Sequence, residues 1–191
     1  MPVDERPPDR RVARSRAALF AAAERLVTER GTTAVPITEL AEAADLSRQA
    51  VYLHFANRDE VLVAAAADLA RRELVGAGEG GGRSALLAAV GHFAGHREFY
   101  RAMLSGPCAF ALTRALGDLL APVNRHLLGT LVDVAPETLD DLAVFVTGGM
   151  GAIINAWLLD EAHPDPEEFA DRLARLWRGL GLTAPADLLT R

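Results

Sequence analysis

The sequence predicts an all-α fold of about nine helices, arranged as a three-helix N-terminal unit followed by a helical bundle. Helix-favouring Ala, Leu, Arg and Glu dominate the 191 residues, and few segments show the strict alternation of apolar and polar residues that strands show. Half of the residues are apolar, so the chain can bury a sizeable core. We expect helices at about 9–30, 37–44, 47–54, 58–75, 84–95, 97–104, 109–131, 137–160 and 166–180.

Local signals mark the ends of the first four helices. Residues 1–9 are polar and Pro-rich, which predicts a flexible arm and not a signal peptide. Gly31 ends the first helix, because glycine tolerates the left-handed conformation that commonly follows a helix. Ser47 and Asn57 are suitable N-caps for the third and fourth helices.

Breaks also separate the later helices. Five of the seven residues in 76–82 are Gly, which predicts a flexible connector. Ser105-Gly106-Pro107 separates two helices, and Pro136 and Pro166 each open one. No internal repeat is evident.

Residues 37–55 have the pattern of a helix-turn-helix. Leu40, Ala41 and Ala44 share one helix face, Asp45 tolerates a left-handed turn, and Leu46 fills the corner. If Ala50, Val51 and Phe55 face inward, the first turns of the next helix project three polar side chains outward. Those side chains are Arg48, Gln49 and Tyr52.

These outward residue types suit DNA. Arg48 can donate two hydrogen bonds to guanine, and Gln49 can pair with adenine. Ser47 and Tyr52 can bind phosphates, as can Arg58 together with the free amides that begin its helix. Arg14 belongs to an Arg-rich run at 10–16 without acidic residues.

Residues 12–62 resemble the DNA-binding domain of the TetR family. The resemblance lies in the order and spacing of Glu29-Arg30-Gly31, Ile37-x-x-Leu40-Ala41-x-x-Ala44, Leu46-Ser47-x-x-Ala50-Val51-Tyr52-x-His54-Phe55 and Asn57-Arg58-Asp59-Glu60. It implies that Ser47, Arg48, Gln49, Tyr52, His54 and Arg58 contact DNA. Two positions depart from the family pattern. Val35-Pro36 replaces the usual Thr or Ser, with Thr38 as the expected substitute, and Asp45 replaces the usual Gly.

Net charge opposes general nucleic-acid binding. The chain carries −6, although the acidic excess lies mostly after residue 60. The Arg-rich run can still meet phosphates, because salt screens charges beyond about 8–10 Å. Cys108 is the single cysteine, which fits a reducing cytoplasm. No apolar run reaches the length of a membrane span, so we expect a cytoplasmic protein without membrane partners.

The resemblance implies a ligand cavity in the C-terminal helices and a dimer interface on the last two. Aromatic and Met residues suit an apolar pocket, although such stripes are more often plain core. The pocket candidates are Phe93, His96, Tyr100, Met103, Phe110 and Phe145. The interface candidates are Gly149, Ile153, Trp157, Phe169, Leu173, Leu176 and Trp177, with an ordinary monomer core as the alternative.

His92 and His96 are four residues apart on a predicted helix, a spacing that can hold a metal. No HExxH pattern and no clear third ligand accompany them, so we predict neither a metal site nor a cofactor. Adjacent acidic pairs point apart on a helix, and no nucleophile elbow or nucleotide loop is present. The chain is not expected to be an enzyme.

The sequence predicts a homodimeric repressor, released from palindromic double-stranded operator DNA by a small, largely apolar effector. An activator or a corepressor-dependent regulator uses the same parts, and a small helical carrier or enzyme is the remaining alternative. The predicted domains are an arm at 1–9, a helix-turn-helix DNA-binding domain at 10–56 and a ligand-binding and dimerisation domain at 57–191.

Overall fold

A computed structural model describes residues 10–75, 82–162 and 165–182, and all regular structure within these ranges is helical. The predicted arm at 1–9 and most of the predicted Gly-rich connector lie outside the described residues. The helices are α1 (Arg10–Arg30), α2 (Ile37–Ala43), α3 (Arg48–Tyr52), α4 (Arg58–Leu74), α5 (Gly82–Gly95), α6 (Arg97–Leu104), α7 (Ala109–Gly129), α8 (Pro136–Leu159) and α9 (Pro166–Gly179). The all-α prediction is confirmed.

Most helix ends fall within two residues of the predicted ones, because the signals that set them are local. Gly31 follows α1 with a φ of +62°. Asn57 caps α4, since its side-chain oxygen accepts a hydrogen bond from the Glu60 amide at 2.9 Å. Asp165 does the same for α9, accepting from two backbone amides. Gly82 begins α5, so that helix starts two residues before the predicted position.

The three N-terminal helices share one apolar cluster with α4, and α1 packs on α4 directly. The α1 helix contributes Phe20, whose ring meets Phe55 edge-on at 6.0 Å between centroids. Leu40 from α2, Val51 from α3 and Leu62 from α4 are almost fully buried in the same cluster. A single apolar core therefore holds α2 and α3 against the two longer helices.

That core continues into the C-terminal helices. The α4 helix contacts α5 and α7, and α1 contacts α6. Gly106, between α6 and α7, lies so close to the N-terminal unit that an added Cβ would come within 2.6 Å of the Thr33 hydroxyl. The N-terminal unit and the bundle are thus packed against each other directly.

Three predicted interface residues lie inside the subunit. The Trp157 ring on α8 stacks on Phe169 of α9 with centroids 4.5 Å apart, and Leu173 is fully buried. The apolar surface of these three residues is already covered within the chain, so their place at a dimer interface stays a prediction that this packing does not support. Trp177 is also mostly buried, in a second cluster with Leu128 and others from α7 and α8. Gly149 and Leu176 are exposed and Ile153 is half-buried.

One helix among the described residues, α8, is long and apolar enough to cross a membrane by length and composition. A single helix of this kind is weak evidence for a membrane span, because core helices of soluble proteins pass the same test. Here α8 packs along α7 and supplies Val146, Ile154 and Leu158 to the interior.

Candidate functional site

A tight turn joins α2 to α3. Asp45 adopts a φ of +54° at the surface, which confirms the predicted left-handed turn. The Leu46 amide then donates to the Ala41 carbonyl at 2.9 Å, and the Leu46 side chain packs against the core. This geometry sets the angle at which α3 leaves α2.

The α3 helix presents the predicted polar face. Ser47 is its N-cap, with the hydroxyl accepting a hydrogen bond from the Ala50 amide at 3.1 Å. Val51 is buried on the inner side of the helix, while Arg48 and Gln49 are exposed and Tyr52 is about half exposed (47%). The sequence-based orientation of α3 is confirmed, and the contacts of these side chains with DNA stay predictions.

The start of α1 lies beside the end of α3. The Arg16 guanidinium sits over the Phe20 ring at 5.3 Å and over the Phe55 ring at 5.7 Å. Arg14 and His54 are exposed near this junction. The first turns of α1 therefore add positive charge next to α3, despite the acidity of the whole chain.

The start of α2 and Arg58 are two predicted phosphate-binding features, and their contacts with DNA stay predictions. Pro36 is the N-cap of α2 and has no side-chain capping hydrogen bond, and Thr38 in the first turn is half-buried. Arg58 pairs with Asp59, with Nη2 and Oδ1 2.7 Å apart, so its guanidinium already has an internal partner. This ion pair lies near the thiol of Cys108, whose pKa is raised by burial to about 11.

The predicted pocket residues do not line one cavity. Phe93, Tyr100 and Met103 are packed in the core, with the Phe93 and Tyr100 rings 4.9 Å apart. Phe110 is 80% exposed and Phe145 is 68% exposed, so neither faces the interior of this chain, and their role in a ligand pocket stays a prediction. Both lie on helix faces that point away from the subunit, a distinction that hydrophobicity alone does not reveal.

His96 borders a different cavity. A cleft of about 330 Å³ opens between α1 and the start of α6, and its walls are mainly polar. The residues lining the cleft are Glu24, Thr28, Ala94, Gly95, His96, Arg97 and Glu98.

A cluster of titratable side chains beside this cleft was missed by sequence reasoning. Glu73 Oε2 lies 2.8 Å from His92 Nδ1 and 3.3 Å from His96 Nε2. The hydrogen bond with His92 lowers the pKa of the Glu73 carboxyl, and burial lowers the pKa of His92. Glu73 lies on α4, 19 residues before His92, so no local spacing signals its approach.

A helix-turn-helix with an exposed polar second helix, backed by a helical bundle, is an arrangement that DNA-binding regulators use. Residues 19–65 match the family described as bacterial regulatory proteins, tetR family. This match confirms the predicted resemblance of residues 12–62 to the DNA-binding domain of the TetR family.

Solved structures share the whole fold. The "Dihydroxyacetone kinase operon activator DhaS" is 15% identical with a TM-score of 0.63, over 87% of this chain and 95% of that one. The TetR family repressor AlkX from Dietzia sp. strain DQ12-45-1b is 21% identical with a TM-score of 0.61, over 86% and 96%. The Thermus thermophilus repressor FadR, in complex with lauroyl-CoA, is 22% identical with a TM-score of 0.62, over 88% and 95%. None of the curated protein sequences compared with this chain matches it.

Proposed function

We propose that the chain is a homodimeric repressor that binds a palindromic operator and leaves it when a small effector binds. The observation that carries this proposal is the Ser47-capped α3 helix, with Arg48 and Gln49 exposed on its first turn. Side chains at the start of a recognition helix reach base edges in the major groove. The site of action is then the bacterial cytoplasm, where operator DNA is located.

The test is operator selection followed by measurement of affinity. Double-stranded DNA is selected from random oligonucleotides, and binding is then measured for the wild type, for Arg48→Ala and for Arg114→Ala. Loss of a bidentate guanine contact lowers the binding free energy by roughly 1–3 kcal/mol and relaxes preference at one base pair. Arg114 is an exposed Arg on α7 and serves as the matched control.

Either of two results contradicts the proposal. One is the absence of any selected duplex, and the other is a selected sequence without two-fold symmetry. If Arg48→Ala binds the operator with unchanged affinity and unchanged base preference, Arg48 does not read a base. The base contacts of α3 must then come from other residues.

The exposed face of α8 supports a homodimer. The outer face of α8 carries five exposed residues at spacings of one, three and four. These residues are Phe145, Gly148, Gly149, Ala152 and Ala156. A glycine inside a helix costs about 1 kcal/mol relative to alanine. An added Cβ at Gly148 or Gly149 would meet no atom of the described residues within 4 Å. Close approach of α8 from a second copy of the chain would need the space that these glycines leave, which gives a reason for their presence in the helix.

On α9, Leu176 and Leu180 are also exposed, at 41% and 60%. We therefore assign the dimer interface to the outer faces of α8 and α9, with Phe145 in place of the buried Trp157. A dimer places two α3 helices about one DNA turn apart, as a palindrome requires.

The effector is proposed to be small and largely apolar. AlkX is described as implicated in the biodegradation of n-alkanes, and FadR was solved with lauroyl-CoA. In this chain Phe93, Tyr100 and Met103 supply the apolar surface between the helices of the bundle. An apolar ligand that separates these side chains would also shift α4, which packs on α5. Because α4 shares the apolar core that holds α2 and α3, this shift would move the DNA-facing helix.

Activation is the second candidate, because one structural neighbour is described as an operon activator. A reporter placed behind the selected operator separates the two roles. Repression predicts lower expression when the chain is present and recovery on adding effector, whereas activation predicts the opposite response to the chain.

A further inference from the structure

Three ligand atoms converge where α4 meets α5 and the start of α6. Glu73, His92 and His96 each offer one ligand atom, and these three atoms lie within 4.8 Å of one another. Glu73 Oε2 is 2.8 Å from His92 Nδ1 and 3.3 Å from His96 Nε2. Donor atoms bound at about 2.0–2.1 Å to one tetrahedral ion lie about 3.3 Å apart, so small side-chain rotations bring the three onto a common centre.

The outer nitrogen of each imidazole already has a partner. His92 Nε2 lies 2.8 Å from the Tyr100 hydroxyl, and Tyr100 in turn lies 3.5 Å from the Ala66 carbonyl. His96 Nδ1 lies 2.8 Å from the Glu24 carboxylate. Metal-binding histidines characteristically donate their second N–H to such a group, which fixes the tautomer and the ring orientation. Both rings are thereby held with the other nitrogen facing Glu73.

The donor types of the cluster also suit a transition-metal ion. Two imidazoles and one carboxylate suit Zn²⁺ and related transition metals, whereas Ca²⁺ and Mg²⁺ prefer sets made of oxygen atoms.

A path to the cluster exists. His96 and Glu24 line the cleft of about 330 Å³, and Glu73 is exposed. An ion can therefore enter without unfolding of the core, and a fourth position can be filled by water or by a small ligand in the cleft.

We propose that Glu73, His92 and His96 bind one divalent transition-metal ion of the Zn²⁺ class, with Glu24 and Tyr100 orienting the two imidazoles. The site joins α4 to α5 and α6, and through Glu24 it reaches α1. It does not depend on the proposed operator or on the apolar effector.

The test measures Zn²⁺ binding to the metal-free full-length protein by competition with a chromophoric chelator. We expect one Zn²⁺ per chain for the wild type, and loss of this binding in Glu73→Gln and His96→Ala. His126→Ala removes an exposed histidine on α7 and is expected to bind like the wild type. Circular dichroism confirms that each variant remains helical; His92 is left intact because it is buried.

Glu24→Gln tests the orienting role separately. Loss of an outer-shell carboxylate typically weakens metal affinity by about 10- to 100-fold while stoichiometry is kept. The proposal is overturned if the wild type binds no stoichiometric Zn²⁺, or if Glu73→Gln and His96→Ala bind as tightly as the wild type. The assay contains no DNA, so a negative result contradicts the metal site and not the proposed regulator function. A negative result in the operator-binding experiment likewise does not contradict the metal site.

Discussion

Ser47 combines a structural role with a proposed functional one. Its hydroxyl caps α3 at 3.1 Å from the Ala50 amide, and it stands exposed beside Arg48. A five-residue helix has few hydrogen bonds of its own, so its orientation depends on this cap and on the buried Val51.

Ser47→Ala is expected to lower the free energy of unfolding by about 1 kcal/mol, the usual cost of losing an N-cap. Ser47→Asp keeps a capping oxygen and should retain stability near that of the wild type, yet its charge should repel phosphates and weaken operator binding. Urea unfolding at fixed protein concentration and operator titration measure the two effects. Equal stability of Ser47→Ala and the wild type would show that the cap contributes nothing.

Single residues differ in how far the sequence predicts their roles. Gly31, Asp45, Ser47 and Asn57 could be assigned because each acts on backbone within about four residues. The partner of Glu73 lies 19 residues away, and Arg97 bonds a carbonyl 60 residues away. Such contacts depend on how helices cross, which a single sequence does not encode in any local spacing.

At the scale of helices, Arg97 fastens the start of α6 to the end of α8. Its Nη2 donates to the Trp157 and Asp160 carbonyls, both at 2.8 Å, and its guanidinium lies 5.1 Å from the Trp157 ring centroid. The Trp157 carbonyl lies in the last turn of α8 and also accepts from the amide of Asp160, the C-cap, at 3.3 Å. Arg97 therefore adds two hydrogen bonds to the C-terminal end of α8.

Arg97→Met keeps much of the side-chain length but removes both hydrogen bonds. We expect the free energy of unfolding to fall by roughly 1.5–3 kcal/mol, the range for hydrogen bonds that involve a charged group. Arg101→Met is the matched control, since Arg101 lies on the same helix without a side-chain hydrogen bond or ion pair to any described residue. A similar loss in both variants would indicate a general effect of removing positive charge from α6.

The amphipathic pattern of α8 and α9 predicts the two helices but not what covers each face. Trp157 and Phe145 are both large and apolar on one helix, yet the first is buried and the second is exposed. Trp157 is covered by Phe169 of α9 and by Arg97 of α6, whereas Phe145 lies on the outer face of α8. Sequence periodicity therefore predicted an interface on these helices while assigning several core residues to it.

Phe145→Asp tests the corrected interface. A charge at the centre of an apolar, close-packed contact is costly to bury, so we expect the dimer to dissociate to monomers. Phe110→Asp changes an equally exposed aromatic on α7 and should leave the dimer intact. Sedimentation velocity over a range of protein concentrations measures both. A dimeric Phe145→Asp, or a monomeric wild type, would contradict this interface.

Across the whole molecule, α1 and α4 connect the helix-turn-helix to the proposed metal site. Arg14 and Glu24 both lie on α1, and Asn57 and Glu73 bracket α4 almost from end to end. Gly106 against Thr33 adds a second direct contact between the bundle and the loop that precedes α2. A shift of α1 relative to α4 therefore moves α2 and α3 with it.

We expect Zn²⁺ bound at Glu73, His92 and His96 to change operator affinity, because it draws together side chains from helices whose relative position sets that of α3. Couplings of this kind typically amount to about 5- to 150-fold. Operator titrations with Zn²⁺ and with chelator, for the wild type and Glu73→Gln, measure the effect at constant ionic strength. Linkage also requires operator DNA to change Zn²⁺ affinity by the same factor. Equal operator affinity with and without Zn²⁺ in a wild type that binds the ion would show that the site is structural and does not regulate DNA binding.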